Sequence, residues 1–183
     1  ISYGLVSVPK KTDEKKNMVY REMTYMSVFD QIIIQSVFNI IAPLLENNFY
    51  DCSYGYRLNI VDTKSDDIFE DWKVKFPQFR SNVLNKLREP EIKYYICCDI
   101  KGYYDNIIKD LLITQLRGII DDNNIFNIIK KVIETYSFSA NNILGLPQGP
   151  AYARPLANLY LNDFDKEICK KANYYFRYVD DFF

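Results

Sequence analysis

Two adjacent carboxylates, Asp180 and Asp181, close the segment Tyr178-Val179-Asp180-Asp181. An aromatic, β-prone run (Tyr174-Tyr175-Phe176-Arg177) precedes them, and Phe182 and Phe183 follow. This pattern predicts a β-hairpin with both acids at its tip. Carboxylates about 4 Å apart repel by about 4 kcal/mol at an effective dielectric near 20. Such a pair stays ionised where it meets cations, and hard divalent ions such as Mg²⁺ take oxygen ligands. Asp-Asp also occurs at Asp66-Asp67 and Asp121-Asp122, where helix ends or loops suffice, so the pair alone carries little. A third carboxylate, Asp99, ends the apolar run Tyr95-Ile96-Cys97-Cys98. At the end of a buried strand it is costly unless solvated or paired; the plainer alternative is a cap for the following turn. Asp105 reads as the N-cap of a helix starting at Asn106. The chain contains no histidine, which excludes a His-based triad, a His metal site and a His general base.

The elements that must position these acids come from a chain of 183 residues, enough for one domain or one subdivided domain with a proper core. Apolar residues make up 48% and aromatics 16%, which argues against disorder. Sixteen tyrosines supply rings suited to stacking on bases, and equally to half-buried strands. The net charge of −1 removes the argument from a globally basic surface, so phosphate contacts must come from local clusters. Lys10, Lys11, Lys15, Lys16 and Arg21 form one, diluted by Asp13 and Glu14. Cys52, Cys97, Cys98 and Cys169 lack CxxC spacing, and at least one of Cys97 and Cys98 is expected to pack as a small hydrophobe. With no signal peptide and no apolar stretch of membrane-spanning length read in the sequence, the expectation is a cytoplasmic protein with reduced thiols and no membrane partner.

Leu5–Val8 and Met18–Arg21 predict strands either side of a polar turn at Pro9-Lys10-Lys11. A helix starts at Ser27 and carries Phe29, Ile32, Ile33, Val37, Ile40 and Ile41, with Pro43 interrupting it. Residues 51–63 read as a loop. Lys64–Glu89 reads as a helical hairpin split at Pro77, with Trp72 and Phe76 inward. Tyr94–Ile100 predicts a buried strand, Asn106–Ile119 and Asn124–Thr135 helices, and Gly145–Pro150 a rigid turn. Leu156–Lys170 predicts one amphipathic helix with Leu156, Leu159, Tyr160 and Phe164 on a stripe. The fold class is α+β.

Five blocks then occur in a recognisable order. Val8-Pro9-Lys10 with Arg21, Ser53-Tyr54-Gly55-Tyr56-Arg57, Asp99-Ile100-Lys101-Gly102-Tyr103-Tyr104-Asp105, Leu146-Pro147-Gln148-Gly149 with Leu156–Leu161, and Tyr178–Asp181 resemble the fingers and palm of a bacterial reverse transcriptase. The lineage is that of group II intron maturases, retron enzymes and abortive-infection or phage-defence enzymes. The resemblance implies a right-hand polymerase fold, fingers-like over 1–92 and palm over 93–183, with a small antiparallel palm sheet packed on helices.

It also implies roles. Asp99, Asp180 and Asp181, with the carbonyl of Ile100, would hold two Mg²⁺ ions, Mn²⁺ being a substitute. Lys10 and Arg21 would neutralise the triphosphate of a dNTP. Tyr104 would exclude a ribose 2′-hydroxyl, whereas the related RNA-dependent RNA polymerases typically place an aspartate there. Gln148 would touch the incoming nucleotide or the templating pair. Arg57 would contact template phosphate or brace the fingers, and Gly149 and Tyr178 would lie along template and primer. The implied partners are an RNA template, a DNA or RNA primer and dNTP.

Two departures stand out. Pro150-Ala151-Tyr152-Ala153-Arg154-Pro155 resembles the defence-associated branch more than the mobile-intron branch, which points to antiphage defence. The chain also stops two residues after Asp181. The hairpin's return strand, the primer grip and the thumb are therefore expected to be absent, synthesis by this chain alone weak, and the exposed strand edge open to self-association or partner proteins. Competing functions are a non-catalytic reverse-transcriptase-like RNA-binding scaffold and a template-independent or protein-primed DNA polymerase.

Overall fold

The computed structural model describes residues 1–12, 18–60, 67–139 and 144–183. Asp13, Glu14, Lys15, Lys16, Lys64 and Asp66, named above, lie outside them. The architecture is mixed α+β, with a two-stranded and a three-stranded antiparallel sheet among the described residues. The chain forms two compact units, residues 1–38 with 104–153, and residues 39–103 with 154–183.

The first unit opens on β1 (Tyr3–Thr12) and β2 (Met18–Met26), paired antiparallel from Tyr3↔Met26 to Thr12↔Met18. Both strands run longer than the sequence pattern suggested: their pairing continues past Pro9 through a bulge between Pro9 and Lys11. Lys10 therefore lies in a strand and not in a turn. Ser27 caps α1 (Val28–Glu46) as expected, its Oγ accepting the Asp30 N–H at 3.1 Å. Pro43 does not end α1. The helix belongs to the first unit up to Phe38 and to the second from Asn39. Ile34 and Phe38 are buried in its first part and Ile41, Ala42 and Leu45 in its second, whereas Phe29, Ile32, Ile33 and Ile40 are exposed. Helical spacing alone fits either stripe, since this helix is apolar nearly all round. By length and composition α1 also passes the test for a membrane-spanning helix, a stretch missed in the sequence reading.

In the same unit a 3₁₀ turn (Tyr104–Asn106) precedes α3 (Lys109–Arg117), which packs on α4 (Asn123–Ser139). Asp105 belongs to that turn and does not cap α3, whose N-cap position is Ile108. Asp122 is the cap that its bland reading required: its Oδ1 accepts the N–H groups of Asn124 and Ile125 at 2.8 and 3.0 Å.

In the second unit, α2 (Trp72–Leu87) is one helix running through Pro77, with Asp71 as N-cap. Phe79 and Val83 form its buried face, and Trp72 is 63% exposed, contrary to expectation. The helix expected over 156–170 is two, α5 (Ala153–Tyr160) and α6 (Asn162–Cys169), joined at Leu161. Their hydrophobic contributions differ: Leu156, Ala157 and Leu159 are buried, while Phe164 is exposed and packs its ring on Phe182 at 5.5 Å.

The small sheet has the order β3 (Cys98–Asp99), β5 (Asp181–Phe182), β4 (Arg177–Tyr178). Two expectations fail here. The return strand of the hairpin is present as β5 and lies in the middle of the sheet, paired on both sides. The run before Asp99 is not a buried strand: Tyr94, Tyr95, Ile96, Cys97 and Cys98 are all exposed, and only Cys98 and Asp99 join the ladder. Apolar content marks a strand for burial only where a layer covers it; here the run borders an apolar cavity of about 620 Å³ with Val83, Phe164 and Phe182.

Candidate active site

The hairpin is built on a two-residue turn, Val179-Asp180, between β4 and β5. Two-residue hairpins favour positive φ in the turn, which suits glycine or asparagine. Here Val179 adopts φ 60°, an outlier for a β-branched residue, so the surroundings must hold it. Those surroundings are specific. Arg177 Nη1 donates to the Val179 carbonyl at 2.9 Å. Gly55 sits so close that a Cβ there would lie 2.7 Å from Val179 Cγ2 and 2.8 Å from its backbone nitrogen.

Arg177 is buried, and its charge is matched below the sheet. Its Nε donates to Asp165 Oδ1 at 2.7 Å, its Nη2 to Asp165 Oδ2, and its Nη1 to Asn158 Oδ1 at 2.9 Å. Burial works against the charged guanidinium, and the Asp165 hydrogen bonds and charge outweigh it, holding the pKa above its ordinary value. Tyr175 donates its hydroxyl to Asp165 Oδ1 at 2.8 Å, and Ser53 Oγ donates to Asn158 Oδ1 at 2.8 Å. Residues 52–54 run beside Arg177 as a parallel bridge: the Arg177 N–H reaches the Cys52 carbonyl at 2.7 Å, and Tyr54 N–H the Arg177 carbonyl at 2.9 Å. Within this network Asn158 Nδ2 is the buried side-chain atom without a hydrogen-bond partner.

On this base stand the acids. Asp99 and Asp181 are directly paired across β3 and β5, and the Ile100 N–H donates to the Asp180 carbonyl at 3.2 Å. Asp99 and Asp181 are exposed and Asp180 is half-buried. Partial burial, then the charges of Asp180 and Asp99, push the Asp181 carboxyl above the ordinary carboxylate range. Mutual repulsion of this kind is what a divalent cation relieves. Among the described residues no group of three or more Cys, Asp or Glu side chains already has a metal-holding geometry. The donor set nevertheless fits a hard cation: three carboxylates, two of them exposed, in a chain without imidazole.

The other candidate residues of the second unit have structural partners. Tyr178 turns its ring into an aromatic cluster with Phe76 at 5.0 Å and Phe79 at 5.5 Å. The guanidinium of Arg57 pairs with Glu46 at 2.5 Å and donates to the carbonyls of Tyr50 and Ser53, which favours the bracing alternative over a phosphate contact. Glu46 also accepts the Leu58 N–H at 2.8 Å, so the Ser53–Arg57 block is held internally at both ends.

The remaining candidates are in the first unit. Lys10 is exposed at the bulge, and Arg21, also exposed, stands opposite Val8. The Gln148 carbonyl accepts the Thr24 N–H at 2.6 Å. Gly149, at φ 139°, brings the backbone so close to β2 that a Cβ would lie 2.2 Å from the Thr24 carbonyl oxygen. Tyr104 is half-buried, and its carbonyl accepts the Leu146 N–H at 2.9 Å. Thus Asp99, Ile100, Asp180 and Asp181 come together in one unit, while Lys10, Arg21, Tyr104, Gln148 and Gly149 share the other. Sequence reasoning missed Arg177, Asp165 and Asn158; a lone Arg before the hairpin and a lone Asp inside a helix gave no local sign of one another.

The chain is 23% identical to Protein YkfC of Escherichia coli (strain K12) over 158 residues, covering 84% of this chain and 39% of that protein. It is 34% identical over 79 residues to an uncharacterized 91 kDa protein in the cob intron of Schizosaccharomyces pombe, covering 41% of this chain and 10% of that protein. The chain therefore spans well under half the length of either relative. The family described as reverse transcriptase (RNA-dependent DNA polymerase) matches residues 8–183, from the Lys10 strand through the carboxylate hairpin. The chain belongs to the reverse transcriptase family.

Proposed function

We propose that this chain is the fingers and palm core of an RNA-directed DNA polymerase, adding dNTP to a primer 3′-hydroxyl on an RNA template. The observation that carries the reading is the cross-strand pairing of Asp99 with Asp181, one residue from Asp180, on a turn held by a buried guanidinium. Asp99, Asp180 and Asp181, with the Ile100 carbonyl, are the residues to hold two Mg²⁺ ions, with Mn²⁺ as a substitute. Divalent ions of this kind lower the pKa of an attacking hydroxyl and neutralise charge on a leaving pyrophosphate. Arg177, paired with Asp165, holds the turn that carries Asp180 and so limits movement of the backbone beneath the carboxylates.

Specificity falls to the first unit. Lys10 and Arg21 supply cations for the triphosphate, and Tyr104 supplies the bulk that rejects a 2′-hydroxyl. Gln148, fixed through its own carbonyl on Thr24, faces the nucleotide or templating pair, with Gly149 beside it. In the second unit Tyr178 supports the primer side and Arg57 braces its block. Residues 1–92 supply fingers functions and 93–183 palm functions in this reading. Pro150–Pro155 points to the defence-associated branch of a bacterial lineage, with a cytoplasmic setting.

The test is primer extension by the chain in its natural protein, with primed RNA template, Mg²⁺ and dNTPs, beside the Asp180→Ala, Asp181→Ala protein. Extension should depend on template and vanish in the variant. Equal product from both would sink the metal-carboxylate reading. Product independent of added template would move the function to untemplated synthesis. Replacing Tyr104 with alanine should admit ribonucleotides, and unchanged discrimination would remove its role as a sugar gate.

A further inference from the structure

Cys52 and Cys169 stand 117 positions apart in the chain, yet their sulfur atoms lie 3.4 Å from each other. Cys52 is half-buried in the segment that runs beside Arg177, and its carbonyl accepts the Arg177 N–H. Cys169 is exposed and ends α6, the helix that carries Asp165 about one turn earlier. Its exposure makes Cys169 the thiol of the pair that a solution oxidant reaches first. Burial, then the negative charge of Asp165, push the Cys52 thiol up, so Cys52 is suited to the second step and not the first. The other two thiols, Cys97 and Cys98, are both exposed and lie in the run preceding Asp99.

We propose that Cys52 and Cys169 form a redox-modification site whose oxidant is a small disulfide of the glutathione type. The Cys169 thiolate attacks one sulfur of the oxidant; a protein–oxidant S–S bond forms, the oxidant's own S–S bond breaks, and one small thiolate leaves and takes a proton. The Cys52 sulfur, giving up its proton to solvent, then attacks Cys169 Sγ. The mixed disulfide breaks, the Cys52–Cys169 bond forms, and the second small thiol departs. Two protein thiols are oxidised and one small disulfide is reduced to two thiols. The sulfur atoms close by roughly 1.4 Å to reach bonding distance, a shift available to side chains already in contact. The bond ties the segment beside Arg177 to the end of α6, the two elements that flank the Arg177–Asp165 pair. Chemistry at the carboxylates takes no part in it, so this site stands whether or not the chain polymerises DNA.

The experiment is to reduce the protein fully, exchange it into oxidised glutathione, and follow free thiols, intact mass and non-reduced peptide maps. The Cys97→Ser, Cys98→Ser protein should lose both remaining thiols, become lighter by two hydrogens, retain no glutathione, and yield a Cys52–Cys169 linked peptide pair that dithiothreitol separates. In the wild type the same pair should form. The Cys52→Ser protein should instead keep glutathione on Cys169. The bridged form should melt several degrees above the reduced form, because a link across a long loop constrains the unfolded chain. A lasting glutathione adduct on Cys169 with Cys52 free, a bridge through Cys97 or Cys98, or a bridged form that melts no higher would each overturn the proposal.

Discussion

Arg177 Nη1 donates to the carbonyl of Val179 at 2.9 Å, so one buried guanidinium holds the turn on which Asp180 stands. The same side chain forks onto both oxygens of Asp165. Replacing Arg177 with alanine leaves the Asp165 charge buried without its cation. The expected loss is about 3–5 kcal/mol, measured from the urea unfolding midpoint. The Arg177→Lys protein keeps the charge but loses the fork. It should fold, and it should need several-fold more Mg²⁺ for half-maximal primer extension. A folded lysine variant with unaltered Mg²⁺ dependence would show that the turn is held by other contacts.

The contact between Gly55 and Val179 makes a second test. A methyl at position 55 meets both a side chain and a backbone atom of Val179, so Gly55→Ala should cost about 1–3 kcal/mol. Val179→Gly removes the side-chain clash and accepts φ 60° freely. In a double-mutant cycle the two substitutions should couple, the pair being less harmful than the sum of the single losses. Additive losses would show that Gly55 serves some other requirement.

Two glycines of the first unit predict opposite outcomes. Gly149→Ala places a Cβ 2.2 Å from the Thr24 carbonyl oxygen at φ 139°, which should cost at least about 3 kcal/mol and loosen the Thr24–Gln148 hydrogen bond. Gly118 has φ −71° and its added Cβ would meet only the Gln115 carbonyl oxygen at 3.3 Å. Gly118→Ala should therefore change stability by less than about 1 kcal/mol. Thermal melts of both proteins, with hydrogen exchange at the Thr24 amide, check the contrast.

Stability should also vary with pH through Lys109. Its side chain is buried with the ammonium 5.2 Å from the Tyr136 ring, and burial pushes its pKa down to about 8. In the unfolded chain a lysine titrates near 10.4. The folded state thus binds the proton less tightly, and its penalty is complete below about pH 8. The penalty fades as pH rises from there toward 10.4. A Lys109→Met protein should be more stable than wild type at pH 7, with the advantage shrinking by pH 10. Urea midpoints at the two pH values decide it; a constant difference would mean that packing and not ionisation sets the effect.

Local chemistry was legible wherever a residue's job lies within a few positions of it. Ser27 capping α1 and Asp122 capping α4 are cases, as are the turn that carries Asp180, though not its return strand, and the glycine-bound turn at Gln148. What escaped depends on distant partners. Arg177 gains its meaning from Asp165 and Asn158, and Ser53 from Asn158 across 105 positions. Trp72 and Tyr94–Cys98 are apolar enough for a core, yet they are exposed, because burial depends on which layer covers a segment. The two stripes of α1 are equally hydrophobic, and only the packed fold distinguishes Phe38 from Phe29.

The ladder between β3 and β5 consists of just two residue pairs, Cys98↔Phe182 and Asp99↔Asp181. Strand side chains alternate between faces, so a slip of one position would turn Asp99 to the opposite side while leaving a ladder of similar length. Such a molecule could keep its helices, its melting point and its solubility and still lack an acidic centre. Inactive yet well-folded protein is thus a failure that this architecture permits, and spectroscopic evidence of folding would not detect it. Distance measurement between labels at positions 98 and 182 would separate the aligned population from the slipped one.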